Sequence, residues 1–180
     1  MNASTDQIKR EILLKAPVSR VWHALSNAEE FGDWFGVDLK GGTFTPGSRV
    51  QGHFTYPGYE HFVFDVVIER VEPERYLSWR WHPYGIDPSV DYSKEPTTLV
   101  EFELREVEGA TLLTVTESGF DKIPPSRRLE APVARLAGPT LHGVSAAPRR
   151  RVQMNDADGK SVAGCLIRDE GRIGIRRRSP

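Results

Sequence analysis

Between Trp81 and Tyr92 the chain gathers side chains able to hold or move a proton. His82, Tyr84, Asp87, Asp91 and Tyr92 place an imidazole, two phenols and two carboxylates in one short segment. General acid–base catalysis requires such a group within hydrogen-bond reach of a substrate. The same residues in a polar loop also simply stay hydrated. Glu117 and Ser118, further along, either meet a ligand or cap a following helix. His82, Tyr84, Asp87 and Glu117 are therefore the candidate polar groups at the mouth of a binding cavity. His82, Asp87 and Tyr84 are also the first residues to test for catalysis; no residue is assigned a catalytic role.

Other chemistries are poorly supplied. The histidines are His23, His53, His61, His82 and His142, and no two stand in His-x-x-x-His spacing. His53, His61 and His82 fall on expected strands and could meet across a sheet, but surface histidine is the simpler reading. With Cys165 as the lone cysteine, no metal site is expected. No nucleophile elbow, Ser/His/Asp order or glycine-rich phosphate loop stands out, and Gly41-Gly42 alone is a weak signal. No cofactor is implied.

The apolar signal is stronger. Trp22, Phe31, Trp34, Phe35, Phe54, Phe62, Phe64, Trp79, Trp81 and Phe102 could line an apolar cavity. Any one of them is also an ordinary core residue. As a set they exceed what one face of a small sheet needs, which favours a void for a small apolar molecule.

Several elements must position these groups. Ile8 to Lys15 reads as a strand. Pro17 opens a helix at no hydrogen-bond cost, with Val18, Val21, Trp22 and Leu25 on one face and Asn27 as a stop. Ala28 to Phe35 is a second short helix carrying Phe31, Trp34 and Phe35. Strands are expected at Arg49–Tyr56, His61–Val71, Tyr76–His82, Thr98–Val107 and Thr111–Ser118, with Pro83 to Pro96 as a loop. That makes about six strands, mostly antiparallel, with two helices after the first. Pro124-Pro125-Ser126 begins a further helix that Pro132 and Gly138-Pro139 interrupt.

Composition divides the chain. Net charge is −1, yet residues 131–180 carry +6 and residues 1–130 carry −7. All 17 aromatic residues lie at or before Phe120. A core needs large side chains, so residues 1–130 are the expected domain and 131–180 an atypical Arg/Gly/Pro/Ala-rich tail. The tail's arginines could neutralise phosphates, but no aromatic stands among them to stack on bases, so no nucleic-acid partner is expected. A single cysteine and the lack of a leader or long apolar run point to a cytoplasmic protein with no membrane partner.

Several motifs occur in an order that resembles the SRPBCC (START-like, helix-grip) superfamily. They are Ala16-Pro17-x-x-x-Val21-Trp22-x-Ala24-Leu25, Trp34-Phe35, Phe44-x-Pro46-Gly47, Val71-Glu72-Pro73 with Leu77-x-Trp79, and Thr114-x-Thr116-Glu117-Ser118-Gly119-Phe120. Within it, the chain is similar to the branch named for the activator of heat-shock protein 90 ATPase, over roughly residues 6–130. The resemblance implies an α+β helix-grip fold: a curved antiparallel sheet gripping a long C-terminal helix, with a cavity between. The chain departs from the pattern where that helix belongs. Residues 131–180 lose every aromatic and gain Arg, Gly, Ala and Pro, as a reading-frame shift in GC-rich DNA or a disordered tail would produce.

The expected function is non-enzymatic binding of a small hydrophobic or amphipathic ligand. One alternative is a module that engages a chaperone ATPase, with a stress-response setting that the family name implies. Another is an enzyme acting on a hydrophobic substrate, as some START-like relatives are.

Overall fold

A computed structural model describes residues 7–85 and 89–124. The elements run β1 (Gln7–Leu14), α1 (Val18–Ser26), α2 (Ala28–Phe35), β2 (Val37–Asp38), β3 (Arg49–Phe54), β4 (Val63–Glu72), β5 (Tyr76–Trp81), β6 (Thr98–Val107) and β7 (Ala110–Ser118). A 3-10 turn, Phe120–Lys122, follows. All seven strands join one antiparallel sheet in the order β1-β7-β6-β5-β4-β3-β2. The fold is the expected helix-grip α+β class with one strand more. The extra strand is β2, whose two residues are too few to show an alternation. The expected C-terminal helix and the 131–180 tail lie outside the described residues.

Local chemistry explains the helix pair. Pro17 is extended at φ −65° and ψ 154° and stands just before α1. Asn27 ends α1 and starts α2, because its side chain accepts from the Glu30 backbone N–H at 2.9 Å. Gly36, at φ +85°, takes the left-handed conformation that closes α2. The Trp34 indole donates to the Ala24 carbonyl at 2.9 Å and locks the helices together. At the β6–β7 hairpin, Glu108 and Gly109 both have positive φ, as a type I′ turn requires.

The helices lie on one face of the sheet, here termed the inner face. Phe31 is fully buried there, with its ring 4.7 to 6.1 Å from those of Trp34, Phe35, Phe44, Phe64 and Trp79. The Trp79 ring extends the cluster to Phe102, tilted against it with centroids 4.7 Å apart. Strand alternation then sends Val50, Phe64, Val66, Trp79, Trp81, Val100, Phe102 and Val115 inward. Arg49, Asp65, Val67, Arg80 and Glu101 face the opposite, outer side.

Replacing Phe31 with alanine should lower stability by about 3–5 kcal/mol, the range for an aromatic removed from a packed core. Phe62→Ala, at a half-buried ring on the edge of the core beside Tyr59 and His61, should cost less than half as much. Urea unfolding of the two variants measures the difference.

Candidate functional site

Two places on the sheet combine polar chemistry with apolar walls, one on each face. On the inner face, register aligns a single row across five strands. Ile68 pairs with Trp79, Trp79 with Val100, Val100 with Glu117, and Glu117 with Ile8. In the adjoining row Val66 pairs with Trp81 and Trp81 with Thr98. The half-buried Glu117 carboxylate accepts at Oε1 from Trp81 Nε1 at 2.9 Å and from Thr98 Oγ1 at 2.6 Å. Two donors from two neighbouring strands thus fix one carboxylate on a face that also carries Arg10, paired with Val115.

Trp79 presents the opposite polarity in the same row. Its side chain is 3% exposed, and its indole N–H has no acceptor among the described residues. A buried donor left unpaired costs about 1–3 kcal/mol. Trp79 and Glu117 are separated by β6, so their backbones stand about 10 Å apart at ordinary strand spacing. The row therefore offers a donor at one end, a carboxylate at the other and the Trp81 ring beside them.

On the outer face a cleft of about 210 Å³ lies under the β5–β6 loop. Arg49, Val63 and Asp65 of β3 and β4 form its floor. His82, Pro83, Gly85 and the segment Val90 to Ser93 form its wall, with Phe54 and Trp81 reaching it at the strand ends. Arg49 Nε and Nη2 donate to Asp65 at 2.8 and 2.5 Å. His82 Nε2 meets the Glu95 carbonyl at 3.1 Å, and Tyr84 Oη donates to the Pro96 carbonyl at 2.8 Å.

The expected site residues divide between these surroundings. Phe31, Trp34, Phe35, Phe54, Phe64, Trp79 and Phe102 are buried in the aromatic core, while Trp22, Phe62 and Trp81 pack half-buried at its edge. Glu117 joins Trp81 on the inner face. His82 follows Trp81 by one residue and faces outward, so His82 and Glu117 do not share a mouth. Tyr84 is buried against the loop's own backbone, and Asp87 lies outside the described residues. His53 is held by the Glu60 carbonyl and His82 by that of Glu95. Among the described residues no group of three metal-ligating side chains assembles, and no helix is long and apolar enough to cross a membrane.

Sequence reasoning missed Thr98, Arg49 and Asp65. Thr98 was recoverable, because alternation places it on the same face as Val100 and Phe102. The Arg49–Asp65 pair was not, because it depends on the β3–β4 register.

Comparison with known proteins gives this geometry a context. The family model described as "Activator of Hsp90 ATPase homolog 1-like protein" matches residues 15–134. No curated protein matches the chain. Among solved structures, DynU16 from the dynemicin biosynthetic locus is 27% identical with a TM-score of 0.52. That match covers 70% of this chain but only 42% of DynU16. Protein MLL2253 from Mesorhizobium loti is 23% identical, with a TM-score of 0.53 and coverage of 72% and 86% of the two chains. Ms6760 from Mycobacterium smegmatis is 18% identical, with a TM-score of 0.58 and coverage of 74% and 85%. At these identities the last two share the fold alone.

The Arg49–Asp65 pair carries a pH signature. Burial alone would raise the Asp65 pKa, but hydrogen bonds from Arg49 and Gln51 and the charges of Arg49 and His82 hold it below the ordinary aspartate value. A depressed folded-state pKa stabilises the fold above the unfolded value, and that stability is lost as pH falls through the folded one. The loss should therefore fall below about pH 4. Asp65→Asn should cost at most about 1 kcal/mol at pH 7, since the pair is partly exposed. It should also flatten the acid limb of a stability–pH curve measured by urea unfolding.

Proposed function

We propose, proceeding from the fact that the chain belongs to the activator of Hsp90 ATPase homolog 1-like family, that it binds a small amphipathic molecule on the inner face of its sheet without transforming it. The observation that carries this reading is the Trp79 indole N–H, buried in an aromatic wall and lacking an acceptor among the described residues. A ligand with a carbonyl, ether or hydroxyl oxygen would satisfy it. The ligand's apolar body would lie along Trp81 and Val100, and a donor group would meet the Glu117 carboxylate beside Trp81. Ile8, paired with Glu117 and 38% exposed, would gain cover. Neither Trp79 nor Trp81 moves a proton at neutral pH, and the Glu117 carboxylate is already engaged by Trp81 and Thr98, which favours binding over catalysis.

Native mass spectrometry of the purified protein should show a retained small molecule, or saturable uptake of a hydrophobic probe. Uptake no greater than that of a solid-core control protein would overturn the reading. Trp79→Phe keeps a benzene ring but deletes the unpaired donor together with the pyrrole half of the indole. The void should cost some stability, and retention of an oxygen-bearing ligand should weaken by about tenfold, the worth of one hydrogen bond near 1.4 kcal/mol. Retention equal to the parent's would mean that the N–H does not meet the ligand.

A second reading follows the family description, in which the domain engages a chaperone ATPase. The −7 charge of residues 1–130 favours electrostatic docking on a basic partner surface. Titrating the chain into the host chaperone should then change its ATPase rate in a salt-dependent way, and a flat titration removes the idea.

A further inference from the structure

The cleft touches the inner-face row only at Trp81 and is otherwise lined by residues outside that row, with Arg49, Val63 and Asp65 as its floor. Its hydrogen bonding defines what it can recognise. A carbonyl oxygen only accepts, so the His82 Nε2 contact to Glu95 at 3.1 Å places the proton of the neutral ring on Nε2. His82 Nδ1 is then an acceptor. It has no partner among the described residues, and it is not among the buried unpaired atoms.

Charge and ring geometry agree with that polarity. Arg49 and Asp65 neutralise one another through their bidentate pair, and the exposed Asp91 leaves the described lining residues one negative charge in excess. Asp91 is held in place by accepting the Ser93 backbone N–H at 2.9 Å. The Tyr92 ring stands 6.1 Å from the His82 ring and 5.9 Å from that of Tyr84, so aromatic rings stand beside the acceptors. Val63 and Val90 add apolar contact.

We propose that this cleft is a second binding site, for a small organic cation that carries an ammonium N–H beside an apolar ring or short chain. The ammonium donates to His82 Nδ1 and lies near the Asp91 carboxylate, and the apolar part rests on Tyr92, Val63 and Val90. Aromatic faces attract cations, and the lining's net charge disfavours a carboxylate of the same shape. The volume suits a fragment-sized ligand, since it falls below the roughly 300–1,000 Å³ of drug-sized pockets.

Amide NMR titrations of the full chain with benzylammonium, benzyl alcohol and benzoate test this. Benzylammonium should give saturable shifts at Val63, Val90, Asp91, Tyr92 and Ser93, with benzyl alcohol weaker and benzoate silent. Asp91→Asn, a change on an exposed loop that leaves the core intact, should weaken benzylammonium by about fivefold, the upper end for an exposed ion pair. His82→Phe should weaken it by a comparable factor. Equal binding of benzoate, shifts centred on Ile8, Val100 and Glu117, or an Asp91→Asn affinity equal to the parent's would each overturn the proposal. Failure here leaves the inner-face reading standing, because that site is read by Trp79→Phe.

Discussion

One aromatic contact set governs this domain: the Phe31 ring, enclosed by Trp34 and Phe35 of its own helix, Phe44 of the following loop, and Phe64 and Trp79 of the sheet. Aromatic side chains bury large areas and pack with definite ring geometry. Placing Phe31 among these five rings fixes α2 against β4 and β5. The Trp34 hydrogen bond to Ala24 then carries α1 into position, and the Thr111 hydroxyl, donating to the Ala16 carbonyl at 2.8 Å, ties the entry to α1 back to β7.

That arrangement partitions the inner face. Where α2 sits, the aromatic side chains are occupied by one another. Beyond Trp79, across β6 and β7 to β1, the face carries Trp81, Thr98, Val100, Glu117 and Ile8. The polar groups of the inner face gather there because a carboxylate under α2 would lose its hydration with nothing to replace it. Glu117 is tolerated at half burial because Trp81 and Thr98 supply donors from adjacent strands.

The two faces also differ in how their polar groups are supported. Glu117 is held by side chains on rigid strands. His82, Tyr84 and Asp91 are held by the backbone of their own loop, through the carbonyls of Glu95 and Pro96 and the N–H of Ser93. Gly85 is needed in that loop: a Cβ there would stand 2.8 Å from the His82 Cβ and 3.3 Å from the Tyr92 ring. The strand-borne site therefore has a fixed shape set by sheet register, and the loop-borne cleft has a shape set by local turns.

Much of this was legible in the residues. Alternation in Thr98 to Val107 assigned Val100 and Phe102 to the core face, and the spacing of Val18, Val21, Trp22 and Leu25 gave α1. The ordered motifs from Ala16 to Phe120 fixed the family and the fold. Those signals are periodic, and periodicity reports which side of an element is apolar. The two-residue β2 has no period to read, so it was missed. The sequence grouped His82, Tyr84 and Glu117 at one mouth, whereas the structure gives each different partners. Trp81 goes inward to Glu117, His82 goes outward, and Tyr84 turns into its own loop. Sequence determined the elements, their apolar faces and the chemical types available. Only the tertiary structure decided which of them meet, because strand register and parity, set by pairings far apart in the chain, place Trp79 in line with Glu117 and Arg49 against Asp65.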